Sequence, residues 1–143
     1  MSEISDHYKK RDPTQRVCAR VICRRDGNVL VIKRHKYGED YYVLPGGGID
    51  PQETDFVAAE RELLEETGVT AKALDLLTIL PGSEKHSEQR LILFEYISGE
   101  PHLPPDSEEA GRTVDGQNTY EPQWMSIKDA KQLIVPRELG DYL

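Results

Sequence analysis

Residues 47–69 read GGIDPQETDFVAAERELLEETGV, and the fold follows from how this stretch is read. Residues 54–67 form the chain's long helical pattern, free of glycine and proline. Two starts are open: Thr54 as N-cap, or Asp50 with Pro51 at the first helical position and Glu53 three residues on. Gly68 is placed to close the C-terminus in a left-handed conformation. At about 100° per residue, Glu62, Glu65 and Glu66 share one face. Phe56, Ala59 and Leu63 point broadly the other way, with Val57 and Leu64 beside them. The helix is therefore amphipathic, with like charge concentrated on its polar side. Such neighbours repel by about a few tenths of a kcal/mol per pair unless a counter-ion intervenes. Carboxylates are hard oxygen ligands suited to Mg²⁺ or Mn²⁺, and no Cys/His cluster has zinc spacing. An acidic helix face on its own is most often merely solvated, because glutamate is a good helix former and usually exposed. Glu60 falls on the apolar side without an evident reason.

Working outward, residues 16–24 and 28–36 are rich in Val, Ile and Leu and flank Arg25-Asp26-Gly27. Asp-Gly between two apolar runs is a strong hairpin signal. Residues 41–44 read as a short strand entering the glycines at 46–48, where the backbone must be irregular. Residues 71–80 and 89–98 follow as strands. Residues 100–118 hold three prolines and many acids, which reads as a long surface loop. Residues 120–125 form a last short strand, and Ser126 caps a helix over 127–133 that Pro136 ends. Several strands with one long central helix and a second near the end give an α/β layered domain.

At 143 residues the chain fits one domain, placed here at residues 16–143. Residues 1–15 are polar and contain Pro13; they read as a flexible N-terminal arm without the apolar segment of a secretory signal. No apolar run approaches the ~20 residues a membrane helix needs. Cys18 and Cys23 would point to opposite faces of one strand, so they are expected as reduced thiols, in keeping with a cytoplasmic protein. A net charge of −8 argues against binding DNA or RNA polymers, which takes a basic footprint. It does not exclude small phosphate substrates if divalent cations sit between the two anions.

The quoted stretch resembles the Nudix box, Gly-x5-Glu-x7-Arg-Glu-U-x-Glu-Glu-x-Gly-U, with U a bulky apolar residue. Gly47, Glu53, Arg61, Glu62, Leu63, Glu65, Glu66, Gly68 and Val69 fill every specified position. With seven fixed residues at roughly one in twenty each, chance agreement is on the order of 10⁻⁹ per starting point. Leu44-Pro45-Gly46-Gly47 also looks like the usual approach to the box. The resemblance to Nudix (MutT-like) hydrolases implies an α/β/α sandwich around a mixed sheet, with the box as a loop–helix–loop. It implies Glu62, Glu65 and Glu66 as ligands of Mg²⁺ or Mn²⁺, with a carbonyl at Gly46 or Gly47 reaching the metal. Glu53 would add a ligand or hold the loop, and Arg61 would tie helix to loop through a carboxylate such as Glu53.

The activity so implied is metal-dependent cleavage of a phosphoanhydride in a nucleoside diphosphate linked to another group. Nucleoside triphosphates, modified nucleotides, nucleotide sugars and dinucleotides are all open; the alternative is a nucleotide-binding regulatory module without turnover. The general base is open: Glu65 or Glu66 within the box, unless engaged as ligands, or a glutamate outside it as in many members of the family, with Glu108, Glu109 and Glu121 as candidates. Tyr42, Arg34, Arg90 and Trp124 are the candidate substrate contacts, and Tyr41, Tyr120, Arg20, His35 and His86 could also meet base or phosphate. Two family markers of substrate are missing: Glu84 stands where ADP-ribose-type members tend to carry proline. Lys85, His86 and Ser87 stand where diadenosine-polyphosphate types tend to carry tyrosine. A homodimer is a family-level expectation only.

Overall fold

The structure, a computed structural model, describes residues 16–84, 86–112 and 116–143, with Arg112 described by its backbone alone. The expected N-terminal arm, residues 1–15, lies outside the described residues. Strands β1 (Val17–Arg25) and β2 (Asn28–Lys36) form the expected hairpin. Asp26 and Gly27 both take positive φ, 53° and 80°, as the mirror-image turn that fits the strand twist requires. Then come β3 (Glu39–Val43), β4 (Gly46–Gly48), helix α1 (Asp55–Thr67), β5 (Thr70–Leu80) and β6 (Glu88–Ser98). The chain closes with α2 (Glu108–Arg112), β7 (Asn118–Ser126), α3 (Ile127–Leu133) and a 3₁₀ segment, Arg137–Tyr142.

The sheet runs β3-β2-β1-β6-β5, with β4 paired to β1 and β7 paired to β2. It is mixed: β1 and β6 are parallel, and the other pairs are antiparallel. The decisive detail is that β1 and β2 pair only beside their turn, at Arg24–Val29 and Arg25–Asn28, and then part. Beyond that point β4 occupies the edge of β1 at Cys18–Arg20, while β2 is flanked by β3 and β7. A cleft opens between the two halves.

Side chains alternate across β1, so Val17, Ala19, Val21 and Cys23 join the core beneath α1. Ala58, Ala59 and Leu63 are the helix residues that meet them, each fully buried. Burying one leucine of this kind stabilises by about 1.5–3 kcal/mol. On the opposite face Ile22, Val31 and Leu91 pack with Ala130, Ile134 and Leu139 of the C-terminal helical segments. Helices thus cover both faces of a mixed sheet, the α/β/α sandwich that the resemblance implied.

The structure resolves or alters several sequence expectations. Thr54 is the N-cap, its Oγ1 accepting from the Val57 N–H. Asp50 and Glu53 instead close the preceding loop: Asp50 N–H donates to Glu53 Oε1 and Glu53 N–H to the Asp50 carbonyl. Val57 and Leu64 are not beside the buried stripe but exposed, at 55% and 52%. Glu60 gains its reason: Oε1 accepts from Ala73 N–H at 3.2 Å, where β5 shifts register and the ladder cannot use that donor. The stretch expected to be all loop contains α2, capped by Ser107 Oγ accepting from Ala110 N–H. Cys18 and Cys23 are unpaired, and burial pushes the Cys23 thiol up to about 11.

Candidate active site

A cleft of about 410 Å³ lies where β1 and β2 diverge. Its floor is the glycine strand β4. One side is acidic, from Glu62 and Glu66 of α1 and Glu108 and Glu109 of α2. The other is a sheet wall of Arg34, Tyr41, Val43 and Tyr120, and Arg20 of β1 also reaches in.

Two glycines make this approach possible. Gly46 has φ 149°, and a Cβ there would sit 1.9 Å from the Ala19 carbonyl oxygen. A Cβ on Gly47 would lie 2.7–2.9 Å from the Glu62 carboxylate atoms. The bare backbone therefore passes directly under the helix's acidic face, and Gly46 N–H donates to Glu66 Oε1 at 2.9 Å.

The carboxylates divide by what compensates them. Arg61 Nη2 donates to Glu53 Oε1 at 2.7 Å and Nε to Glu53 Oε2 at 3.4 Å, a two-pronged hold on the loop before α1. Its Nη1 donates to Glu62 Oε1 at 3.1 Å and Glu65 Oε2 at 3.3 Å. The Arg61 pKa rises, chiefly through the Glu53 hydrogen bond. Glu62 is raised by burial, with Arg61 pulling it back. Glu66 is only 6% exposed, and its carboxyl is pushed up to about 8, first by burial and then by the charge of Glu62. Arg20 and the Gly46 N–H offset only part of this, and Glu109 adds repulsion. Glu109 is 8% exposed, and its Oε2 has no hydrogen-bond partner among the described residues.

Glu65 is exposed and lies on a separate groove outside α1, with Leu64, Gly68 and His102. Of the substrate candidates, Arg34, Arg20, Tyr41 and Tyr120 line the cleft, whereas Tyr42, Arg90 and Trp124 do not. Tyr42 packs against the core on the far face of the sheet. Arg90 is buried in ion pairs with Asp55 at 3.3 Å and Glu88 at 2.9 Å, a structural tie between β6 and the start of α1. Trp124 packs edge-to-face on Tyr96, 5.7 Å between centroids, against the core under α1. Of the base candidates, Glu108 and Glu109 line the cleft, whereas exposed Glu121 is not among its lining residues. Tyr41 and Tyr120 gain their place from strand register, a signal that no local pattern carries.

The donor set suits a hard divalent cation. All its members are carboxylate oxygens, one of them buried and unbonded, and another is pushed towards its protonated form by burial and by the charge of Glu62. In the side-chain positions of this structure, no three His, Cys, Asp or Glu among the described residues are gathered closely enough to hold a metal ion. Glu62 and Glu65 are drawn onto Arg61 instead.

The fold and the acidic helix over a glycine strand define a known class. The NUDIX domain family model matches residues 13–141, and the chain belongs to the Nudix family. Among curated proteins it is similar to the RNA pyrophosphohydrolase of Yersinia enterocolitica, 46% identical over 57 residues. That match covers 40% of this chain and 31% of the relative's own length. A NUDIX hydrolase structure from Nitrosomonas europaea superposes with a TM-score of 0.67 at 20% identity, over 94% of this chain and 69% of that one. A MutT structure from work on Aliivibrio salmonicida and Vibrio cholerae gives 0.63 at 18% identity, over 90% and 92%. At these identities the two structures speak for the fold.

Proposed function

We propose that the chain is a divalent-cation-dependent pyrophosphohydrolase that cleaves a phosphoanhydride in a nucleoside diphosphate derivative. One observation carries the reading: Glu62, Glu66 and Glu109 face one cleft across a strand in which Gly46 and Gly47 leave no room for a side chain, with two arginines also lining it. The related pyrophosphohydrolase agrees with it. Glu62 and Glu66 would hold the cation, and Glu65 would join them by turning from Arg61. When bound, the cation would neutralise phosphoryl oxygens and make a water acidic enough to attack near neutral pH.

The remaining chemistry falls to this chain's own residues. Water adds to phosphorus, the bond to the bridging oxygen breaks, and the leaving phosphate departs with that oxygen. The proton lost by the water goes to a carboxylate, and Glu109 Oε2, buried and without a hydrogen-bond partner among the described residues, would accept it. Arg61 acts by position, fixing Glu53 and Glu62 relative to the helix.

The test is release of phosphate or nucleotide from a panel of nucleoside diphosphate derivatives and 5′-triphosphorylated RNA, with Mg²⁺ and with EDTA. Cleavage that needs the metal and falls by orders of magnitude in Glu62→Gln supports the reading. Silence across the panel from folded protein would overturn it in favour of a nucleotide-binding module.

A further inference from the structure

The arginines of this protein fall into two groups. Among those at least partly buried, Arg25, Arg61 and Arg90 each meet a carboxylate, at 2.8, 2.7 and 2.9 Å. Arg20 and Arg34, the two that line the cleft, have no carboxylate within ion-pair distance among the described residues. Both are nonetheless held in place. Arg20 donates from Nε to Gln89 Oε1 at 3.3 Å and from Nη1 to the Leu44 carbonyl at 3.4 Å. Arg34 donates from Nε to the Thr119 carbonyl at 3.2 Å and from Nη2 to Asn118 Oδ1. Neutral acceptors aim a guanidinium without cancelling its charge.

Arg34 is held on its faces as well. In the three-strand wall it stands opposite Tyr41 of β3 and Tyr120 of β7, so the three side chains share one face of the sheet. Its Cζ lies 3.8 Å from the Tyr120 ring centroid and 5.7 Å from that of Tyr41. The aromatic rings take the guanidinium plane, which leaves its edge, and Nη1 in particular, for a ligand. A cation so fixed loses little further freedom on binding, and its fork geometry matches phosphate oxygens. Two guanidiniums aimed into one cleft, neither in direct contact with a carboxylate among the described residues, are placed to receive an anion from outside.

We propose that Arg34, clamped by Tyr120, forms with Arg20 an anion subsite for two phosphates beyond the one under attack. The substrate class is then a nucleotide bearing a 5′-triphosphate, rather than a diphosphate capped by an uncharged sugar. This rests on the hydrolase reading above. The count is simple: the carboxylate side deals with one phosphoryl group, and each guanidinium with one more. Tyr120 is a positioning residue, since it acts through Arg34.

Steady-state kinetics on ATP and ADP-ribose, which share a base and differ in the terminal group, test the assignment. Wild type is expected to favour ATP by about tenfold or more in kcat/KM, and Arg34→Leu to lower that preference by about tenfold through KM. Arg34→Lys, which keeps charge but loses the planar fork, falls between; Tyr120→Leu shifts KM as Arg34→Leu does, and Tyr120→Phe restores it. A 5′-triphosphorylated oligoribonucleotide run beside ATP tells a free nucleotide from an RNA end as the source of the triphosphate. Wild type favouring ADP-ribose, or Arg34→Leu slowing both substrates equally, would overturn the subsite.

Calorimetric titration with inorganic tripolyphosphate and Mg²⁺ separates this from the hydrolase reading. If nothing is hydrolysed but Arg34→Leu weakens tripolyphosphate binding about tenfold, the subsite stands and the hydrolase fails. If hydrolysis proceeds and tripolyphosphate binds folded wild type and Arg34→Leu alike, the subsite fails alone.

Discussion

Replacing Glu66 by Gln should stabilise the metal-free protein at alkaline pH, and the size of the effect follows from its surroundings. The side chain is buried, accepts one hydrogen bond from Gly46 N–H, and is repelled by Glu62 and Glu109. Its carboxyl is pushed from the ordinary 4.5 up to about 8. In the unfolded chain it ionises near 4.5, whereas in the folded protein it stays protonated until about pH 8. Its stabilising share is therefore complete below pH 4.5 and is lost as pH rises through this window, at up to about 1.4 kcal/mol per pH unit. By pH 9 the accumulated loss is on the order of a few kcal/mol. Gln keeps the shape and the acceptor for Gly46 but cannot ionise, and its amide can donate towards the neighbouring carboxylates. A net gain of about 2 kcal/mol at pH 8–9 would raise Tm by about 4–8 °C in a chain of this size. Thermal melts of both proteins in EDTA from pH 5 to 9 measure it. The curves should lie closest at pH 5, diverge steadily as pH rises, and run parallel only above about pH 8; curves parallel throughout would refute the assignment of this charge to Glu66.

Three further outcomes follow from the same geometry. Glu109→Gln should lower kcat by about 10²–10⁴ with an unchanged circular dichroism spectrum, while Glu121→Gln, outside the cleft, should have little effect; equal rates for Glu109→Gln and wild type would exclude Glu109 as base. Gly47→Ala should cut turnover by about tenfold or more, because its Cβ meets the Glu62 carboxylate, whereas Gly48→Ala, with nothing within 4 Å, should be close to neutral in the same assay. Glu60→Ala should cost about 0.5–1.5 kcal/mol in urea unfolding by freeing Ala73 N–H, without touching KM.

The parts of this fold that were legible in the sequence are those encoded locally. A helical pattern with Thr54 before it and Gly68 after it defines α1, and Asp26-Gly27 defines the hairpin. Spacing along that helix also placed Glu62 and Glu66 on one face, and both reach the cleft. Glu65 shares the face by angle yet lies on the outer groove, because the line between cleft and solvent falls between positions 65 and 66. The rest depends on partners distant in sequence. Tyr41, Arg34 and Tyr120 come together only through the register of β2 with strands on either side. Tyr42, one residue from Tyr41, lands on the opposite sheet face for the same reason. Arg90 was indistinguishable in sequence from Arg34, and what separates them is that Asp55 and Glu88 surround the former. Helix α2 has five residues, too few for a periodic signal, so the position of Glu109 could not be read before the fold was known.

The distribution of charge around α1 links stability to chemistry. Glu53, Glu62 and Glu65 all lean on one guanidinium, that of Arg61, and this half of the acidic face is compensated within the protein. Glu66 accepts a neutral N–H bond and feels Arg20 only through space, and Glu109 keeps an unbonded oxygen. Burial strengthens repulsion in this second half because little water screens it. Satisfying it with a further arginine would stabilise the fold but fill the space above the glycine strand. The protein instead leaves its most strongly shifted carboxyl facing the cleft, where an incoming cation would relieve it. The alkaline instability removed by Glu66→Gln and the affinity for a cation then have one origin, so a variant that gains the first should lose the second.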